Sequence, residues 1–218
     1  MSPVAGMGKN RVEAFSDGVF AILITIMVLE LRVPHTADLA ALVALWPVFL
    51  SYVLSFVFLG IYWNNHHHML HAVRQITGRN LWANLHLPFW LSLIPFVTGW
   101  MGENHFAALP VALYGMVLLC AACAYWLLQR SLIKTEGPDC LLARAVGGDW
   151  KGNLSPLLYA APIALAFLQP WISCTLYILV AVIWLVPDPR IERALSPTTR
   201  ALQGSDEFSS GGTKSSAL

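Results

Sequence analysis

Long apolar runs, separated by short polar segments, recur along almost the whole of this 218-residue chain. Each run is close to the ~20 residues that a helix needs to cross the hydrocarbon core of a bilayer. The runs lack the alternating pattern of about ten residues that is typical of strands in an outer-membrane barrel. The pattern therefore predicts an all-α integral membrane protein with six transmembrane helices, at roughly 12–32, 40–63, 81–101, 107–128, 154–169 and 171–187.

Prolines shape two of the predicted spans. Pro95 should kink the third span, because proline lacks the backbone N–H that an uninterrupted helix needs. The fifth span is short and is interrupted by Pro156 and Pro162. The dipeptide Gln169-Pro170 predicts a tight hairpin between the fifth and sixth spans.

Composition and charge support a membrane protein and predict its orientation. Hydrophobic residues make up 57% of the chain and charged residues 11%, less than half the ~25% of soluble domains. With the N-terminus inside, the predicted cytoplasmic segments hold all 13 lysines and arginines except Arg32. Basic residues accumulate on the cytoplasmic side, so segments 1–10 and 189–218 are predicted to flank a transmembrane domain at 11–188 inside a bacterial inner (plasma) membrane. The end of the tail has the composition of a disordered segment or an expression remnant.

The first predicted helix carries ionisable side chains where a plain membrane anchor has none. Arg11, Glu13 and Asp17 precede an almost wholly apolar run that ends at Glu30. Charges at membrane depth are costly unless they are paired or hydrated. Because Arg11 and Asp17 are six residues apart, they cannot pair along one helix face. Their partners must therefore come from other helices.

One stripe of the same helix is almost entirely apolar. At ~100° per residue, the stripe contains Phe15, Gly18, Ile22, Thr25, Ile26 and Leu29. Every face of a membrane helix is apolar, so the spacing alone leaves two interpretations open, ordinary helix packing and the lining of a pore.

Four histidines lie within six residues at the end of the second span. His67 and His71 share a helix face, but no cysteine or carboxylate near them in sequence would complete a zinc site. Metal binding is therefore not favoured, and proton sensing near neutral pH is a further alternative. The favoured interpretation is hydrogen bonding between helices, with Arg11, Asp17 or Asn84 as partners.

The sequence contains no nucleotide-binding loop, no nucleophile with an adjacent base and no zinc-protease helix. An enzyme, a nucleic-acid-binding protein and a bound cofactor are therefore not expected. The residues alone fit an ion channel, a proton-coupled carrier or histidine-dependent transporter, or a structural or metal-storage membrane protein.

Three motifs resemble the signatures of the TMEM175 family of potassium-permeable channels, and the resemblance covers roughly 11–187. The motifs read Arg11-x-x-x-Phe15-Ser16-Asp17 in the first helix, Trp63-x-Asn65-His66-His67 after the second, and Ser92-Leu93-x-Pro95-Phe96-x-Thr98, with Glu103 beyond it, in the third. His68 and Leu70 depart from the family pattern, which has an arginine and an aromatic residue at those positions.

The resemblance implies a homotetramer in which the first helix of each subunit lines a central pore. It also implies that bulky apolar side chains replace the Thr-Val-Gly-Tyr-Gly carbonyl filter, which this sequence lacks. By distance from the Phe-Ser-Asp motif, the constriction would consist of Ile22, Ile26 and Leu29, with Thr25 adding a hydroxyl layer beyond Ile22. The expected function is a moderately K⁺-selective channel, with K⁺ as the permeant ion and lipid and further copies of the chain as partners.

The polar residues are expected to hold the first helix in position rather than to face the pore. The expected network contains Arg11, Phe15, Ser16, Asp17, His66, His67 and Asn84. Replacing Asp17 by Ala is expected to abolish assembly, because a buried partner would lose its hydrogen bond. Glu30, near the outer end, would attract cations at the pore mouth or pair with Arg32 or another loop.

Overall fold

The computed structural model of the protein describes residues 8–146 and 150–185, and within these ranges every regular element is a helix. The fold class is therefore all-α, as predicted. The predicted tail at 189–218 lies outside the described residues. The elements are α1 Lys9–Leu29, α2 Leu39–Ala44, α3 Trp46–His71, α4 Gly78–Leu91, α5 Ile94–Glu103, α6 Ala108–Glu136, α7 Leu141–Val146, α8 Trp150–Leu165 and α9 Pro170–Leu185.

Four helical segments of the described chain are long and apolar enough to cross a membrane. They are α1, α3, the segment Gly78–Glu103 that combines α4 and α5, and α6. The predicted fifth and sixth spans correspond to α8 and α9, which have 16 residues each. At 1.5 Å per residue, 16 residues extend about 24 Å, less than the ~30 Å of the hydrocarbon core. These two helices are therefore shorter than a typical membrane span.

The second predicted span differs from the observed helices at both ends. The segment 40–63 is divided at Leu45, where α2 ends and α3 begins. Pro47 occupies the first turn of α3, where its missing N–H has no partner to lose. At the other end, α3 continues to His71 instead of ending near residue 63. The histidines therefore lie within the last turns of this helix and not after it.

The third predicted span has the break that Pro95 indicated. α4 ends at Leu91, α5 begins at Ile94, and Pro95 lies in the first turn of α5. Near this break, the Ser92 hydroxyl donates a hydrogen bond to the carbonyl of Phe89 at 2.7 Å. The hydroxyl is thus satisfied locally, without a partner from a neighbouring helix.

The core lies between α3, α4, α5 and α6, and α1 packs against its side. Fully buried side chains from all four of these helices meet here: Phe58, Leu87, Leu91, Ile94, Met101, Leu118 and Leu128. α1 contacts α3, α4 and α5. Only one face of α1 is therefore covered by the chain itself.

Gly102 allows the closest approach between α3 and α5. A Cβ atom at this position would lie 2.6 Å from Ser51 Oγ and 2.7 Å from the Cα of Val48. Because part of this obstruction is backbone, a larger residue would force the two helices apart. Small residues at helix contacts permit this kind of packing in membrane proteins.

Candidate functional site on the first helix

α1 has one buried face and one face that the rest of the described chain leaves open. The buried face consists of Val12, Ser16, Phe20, Leu23 and Met27. On the opposite side, Ile22 is 57% exposed, Ile26 42% and Leu29 79%. The stripe read from the sequence is thus an apolar surface without cover from its own subunit.

Thr25 lies on the same exposed stripe. Its hydroxyl donates to the carbonyl of Ile22 at 2.8 Å, three residues back along the helix. This bond satisfies the donor in an apolar environment, while the oxygen keeps lone pairs that can accept a further hydrogen bond or contact a cation.

Three buried polar side chains connect α1, α4 and α3. The Asn84 amide donates to Ser16 Oγ at 3.0 Å, and its Oδ1 lies 2.8 Å from His66 Nε2. Because Oδ1 can only accept, the geometry assigns the proton to His66 Nε2. Ser16 is 0%, His66 1% and Asn84 3% exposed. These contacts hold the first third of α1 against the bundle.

Asp17 has a different partner from its neighbour Ser16. Its Oδ1 accepts a hydrogen bond from the indole Nε1 of Trp63 at 2.9 Å. Asp17 is exposed in the single chain and Trp63 is 42% exposed. In the single subunit, replacing Asp17 would therefore not leave a buried partner without its hydrogen bond, because Asp17 and Trp63 are both exposed.

His67 belongs to an aromatic cluster rather than to the buried network of Ser16, Asn84 and His66. Its ring stacks on Trp63 at a centroid distance of 5.9 Å and lies 4.4 Å from the ring of His71. No group of three metal-binding side chains occurs in the part of the chain that the structure describes. His67 is therefore connected to α1 through Trp63 and Asp17, and through His71, whose backbone carbonyl accepts a hydrogen bond from Lys9 of α1.

Arg11 and Phe15 take no part in the hydrogen bonds among Ser16, Asn84 and His66, although Asn84 lines the same groove as they do. Both are exposed and line a groove beside Leu81 and Leu85 of α4. Within residues 8–146 and 150–185, the side chain of Arg11 forms no hydrogen bond or ion pair. Phe15 precedes Ser16 by one position, about 100° around the helix, so it points away when Ser16 faces Asn84.

The C-terminal end of α1 lies in close contact with α5. The Glu30 carboxylate lies on the bare backbone of Gly99, where an added Cβ would be 2.9 Å from Oε2. Arg32 pairs with Glu103 at 2.8 Å and not with Glu30, which was one of the expected alternatives. Glu30, Arg32 and Glu103 together border the groove between α1 and α5.

Sequence reasoning did not identify a second buried polar cluster, in the centre of the bundle. Ser55 Oγ lies 2.6 Å from Thr98 Oγ1 and 3.1 Å from the hydroxyl of Tyr114. The sequence signal was present, because Ser55 and Thr98 lie inside apolar spans, where an unpaired hydroxyl would be costly. Their partners could not be read from spacing, since they come from three different helices.

Comparisons with known proteins agree with the motif resemblance. A family model described as endosomal/lysosomal potassium channel TMEM175 matches residues 11–95. A potassium channel of Chryseobacterium sp. (strain P1-3) is 51% identical over 189 residues, which are 87% of this chain and 98% of that protein. The endosomal/lysosomal proton channel TMEM175 of Homo sapiens is 41% identical over 83 residues, which are 33% of this chain and 16% of that protein.

A solved structure has the same fold. The crystal structure of a lysosomal potassium-selective channel TMEM175 homolog from Chamaesiphon minutus superposes with a TM-score of 0.72 at 29% identity, covering 82% of this chain and 96% of that one. Sequence similarity over nearly the whole length of the Chryseobacterium relative and this structural likeness lead to one conclusion: the chain belongs to the TMEM175 family.

Proposed function

We propose that four copies of this chain assemble in a membrane and conduct K⁺ through a central pore lined by α1. The observation that carries the proposal is the stripe of Ile22, Ile26 and Leu29, which is apolar and left open by the subunit's other helices. The bacterial relative and the solved structure, named as a potassium channel and a potassium-selective channel, support K⁺ as the ion.

The constriction works by excluding water. Rings of Ile22, Ile26 and Leu29 would follow one another over about 10 Å along the axis, at 1.5 Å per residue. A neck lined by branched apolar side chains is too dry to hold an ion with its full hydration shell, and such necks gate by dewetting. K⁺ loses its hydration more readily than Na⁺, so the neck favours K⁺ modestly. The hydroxyl of Thr25 supplies a polar layer between the rings.

The residues beside the stripe have positioning roles in this proposal. Ser16, bonded to Asn84, and Asp17, bonded to Trp63, fix the rotation of α1 about its own axis. Glu30 lies at the outer mouth, where its negative charge raises the local cation concentration. The groove between α1 and α5, which Ile22 and Ile26 help to line, would receive α1 of the adjacent subunit.

The proposed topology follows from charge and span length. α8 and α9, although short, would form the fifth and sixth spans. Together they make a hairpin whose second helix begins at Pro170. Basic residues outside the spans then lie on one side, apart from Arg32, which puts both termini in the cytoplasm and the protein in the cell membrane.

The test is ion flux through purified protein in liposomes, comparing wild type with Ile22→Asn. Val28→Asn is the matched control, because Val28 is 46% exposed on the same helix but lies off the stripe. Ile22→Asn should wet the neck, raising K⁺ conductance and lowering K⁺/Na⁺ selectivity, while Val28→Asn leaves both unchanged. If Ile22→Asn conducts like wild type, the first-helix pore is wrong.

Saturable flux that requires a proton gradient would instead support the carrier hypothesis. The mass of the purified particle tests the tetramer.

A further inference from the structure

A crevice with mainly aromatic walls lies between α3, α6, α8 and α9. Its cavity volume is about 40 Å³, and it opens outward at a mouth. The aromatic part of the lining consists of Phe58, Tyr62, Tyr125, Trp126, Tyr159 and Trp184. None of these residues belongs to α1, so the proposed conduction path does not account for the crevice.

Gln129 contributes an amide to this apolar wall. Its side chain is 8% exposed and lines the crevice, yet it forms no hydrogen bond with any of the described residues. Because the amide atoms are not sealed off from the space of the crevice, they can offer a hydrogen-bond donor and an acceptor there. A ligand with a hydrogen-bond acceptor in the crevice would supply the missing partner.

A positive charge lies next to the crevice. The guanidinium of Arg130 is 5.1 Å from the centre of the Trp126 ring, which forms part of the wall. Arg130 is exposed and pairs with no carboxylate among the described residues. Its charge is therefore available to an anionic group that reaches the crevice from outside.

The length of α6 indicates the depth of this charge in the membrane. α6 has 29 residues, which extend about 43 Å, against ~30 Å for the hydrocarbon core. If Ala108 lies at one surface, Arg130 is about 33 Å further along, at the boundary between acyl chains and headgroups. Lys134 follows on the same end of the helix.

We propose that this crevice binds an anionic phospholipid from the leaflet on the Arg130 side. An acyl chain lies along the aromatic wall, an ester carbonyl accepts a hydrogen bond from Gln129, and the phosphate is next to Arg130. Asn65 also lines the crevice and precedes His66, so the lipid supports α3 directly beside the network that holds α1.

The test is lipid binding measured by native mass spectrometry on delipidated protein, titrated with phosphatidylglycerol or with phosphatidylcholine. Because this readout needs no ion conduction, its failure is distinct from failure of the proposed channel function. Phosphatidylglycerol should bind more tightly than phosphatidylcholine. Arg130→Gln should weaken phosphatidylglycerol about fivefold, the effect of one basic residue at an anionic membrane surface. Gln129→Leu should weaken both lipids.

Two further variants keep the result interpretable. Arg130→Lys retains the charge and should retain the preference for phosphatidylglycerol, which separates lost charge from misfolding. Arg79→Gln removes an exposed arginine of α4 that does not line the crevice and should have no effect. Equal binding of the two lipids to wild type, or equal losses for Arg79→Gln and Arg130→Gln, would overturn the proposal.

Discussion

Replacing Asn84 by Ala removes the hydrogen bond that connects the N-terminal part of α1 to α4 and the one that connects α4 to α3. Asn84 is 3% exposed, and its amide is shared between Ser16 at 3.0 Å and His66 at 2.8 Å. The variant therefore leaves one hydroxyl and one imidazole N–H buried without partners. No other described residue contributes a hydrogen bond to these two groups.

The expected loss of stability can be bounded in two ways, from the penalty for unpaired buried groups and from the energy of hydrogen bonds between membrane helices. A buried polar group left unpaired costs about 1–3 kcal/mol, so two such groups give about 2–6 kcal/mol. Hydrogen bonds between membrane helices average about 0.6 kcal/mol by double-mutant cycles, with a maximum near 1.7, so two bonds give about 1–3 kcal/mol. The ranges overlap near 2 kcal/mol. We therefore expect Asn84→Ala to lower the free energy of unfolding by about 2 kcal/mol, or roughly 30-fold in the equilibrium constant.

The assay is reversible SDS titration in lipid–detergent micelles, followed by far-UV circular dichroism. Asn104→Ala is the matched control, since the Asn104 amide donates to the carbonyl of Trp100 at 2.8 Å but is exposed. A surface change of this kind alters stability by no more than about 0.5 kcal/mol. In an Asn84→Ala background, Ser16→Ala should cost less than in wild type, because its partner is already absent. If Asn84→Ala and Asn104→Ala destabilise equally, the buried network does not anchor α1.

Two further substitutions test the contacts around α1 and α5. Trp63→Phe keeps an aromatic ring, although a smaller one, and deletes the N–H that donates to Asp17; it should cost about 1 kcal/mol in the SDS titration, and Asp17→Asn, which retains an acceptor, should cost less. Gly102→Ala puts a Cβ within 2.7 Å of the α3 backbone and should destabilise by about 1–3 kcal/mol. The control Gly60→Ala meets nothing within 4 Å and should be neutral or stabilising; equal effects of the two glycine variants would contradict the close-packing argument.

Hydropathy predicted the apolar core of each helix but not where the helices end. α3 is the clearest case, because its apolar run ends near Trp63 while the helix continues to His71. Membrane thickness limits the apolar run, whereas helix hydrogen bonding can continue past that run where no proline or glycine intervenes. No proline or glycine occurs between Trp63 and Thr77. Pro95, by contrast, was informative because its effect on backbone hydrogen bonding is local.

The sequence predicted most of the polar residues around α1 but not their pairing. Ser16, Asp17, His66 and Asn84 were all identified as candidates, yet which of them meet depends on helix rotation. Ser16 and Asp17 point about 100° apart, so only one of them can face Asn84. The structure gives that place to Ser16 and pairs Asp17 with Trp63. Such a choice requires the relative positions of three helices, which spacing along one chain does not contain.

The two anchors of α1 lie on either side of the stripe. Ser16 fixes the N-terminal part of the helix through Asn84, and Glu30 rests on Gly99 at its C-terminal end. Fourteen residues separate them, about 21 Å along the helix, and Ile22 and Leu29 lie in between. A helix that only faced lipid would tolerate free rotation and tilt, since acyl chains adapt to its surface. A dry neck excludes water at one diameter and admits it at a slightly larger one, so its helix must be held at both ends. The anchoring on both sides of an uncovered apolar stripe is thus a requirement of the proposed pore.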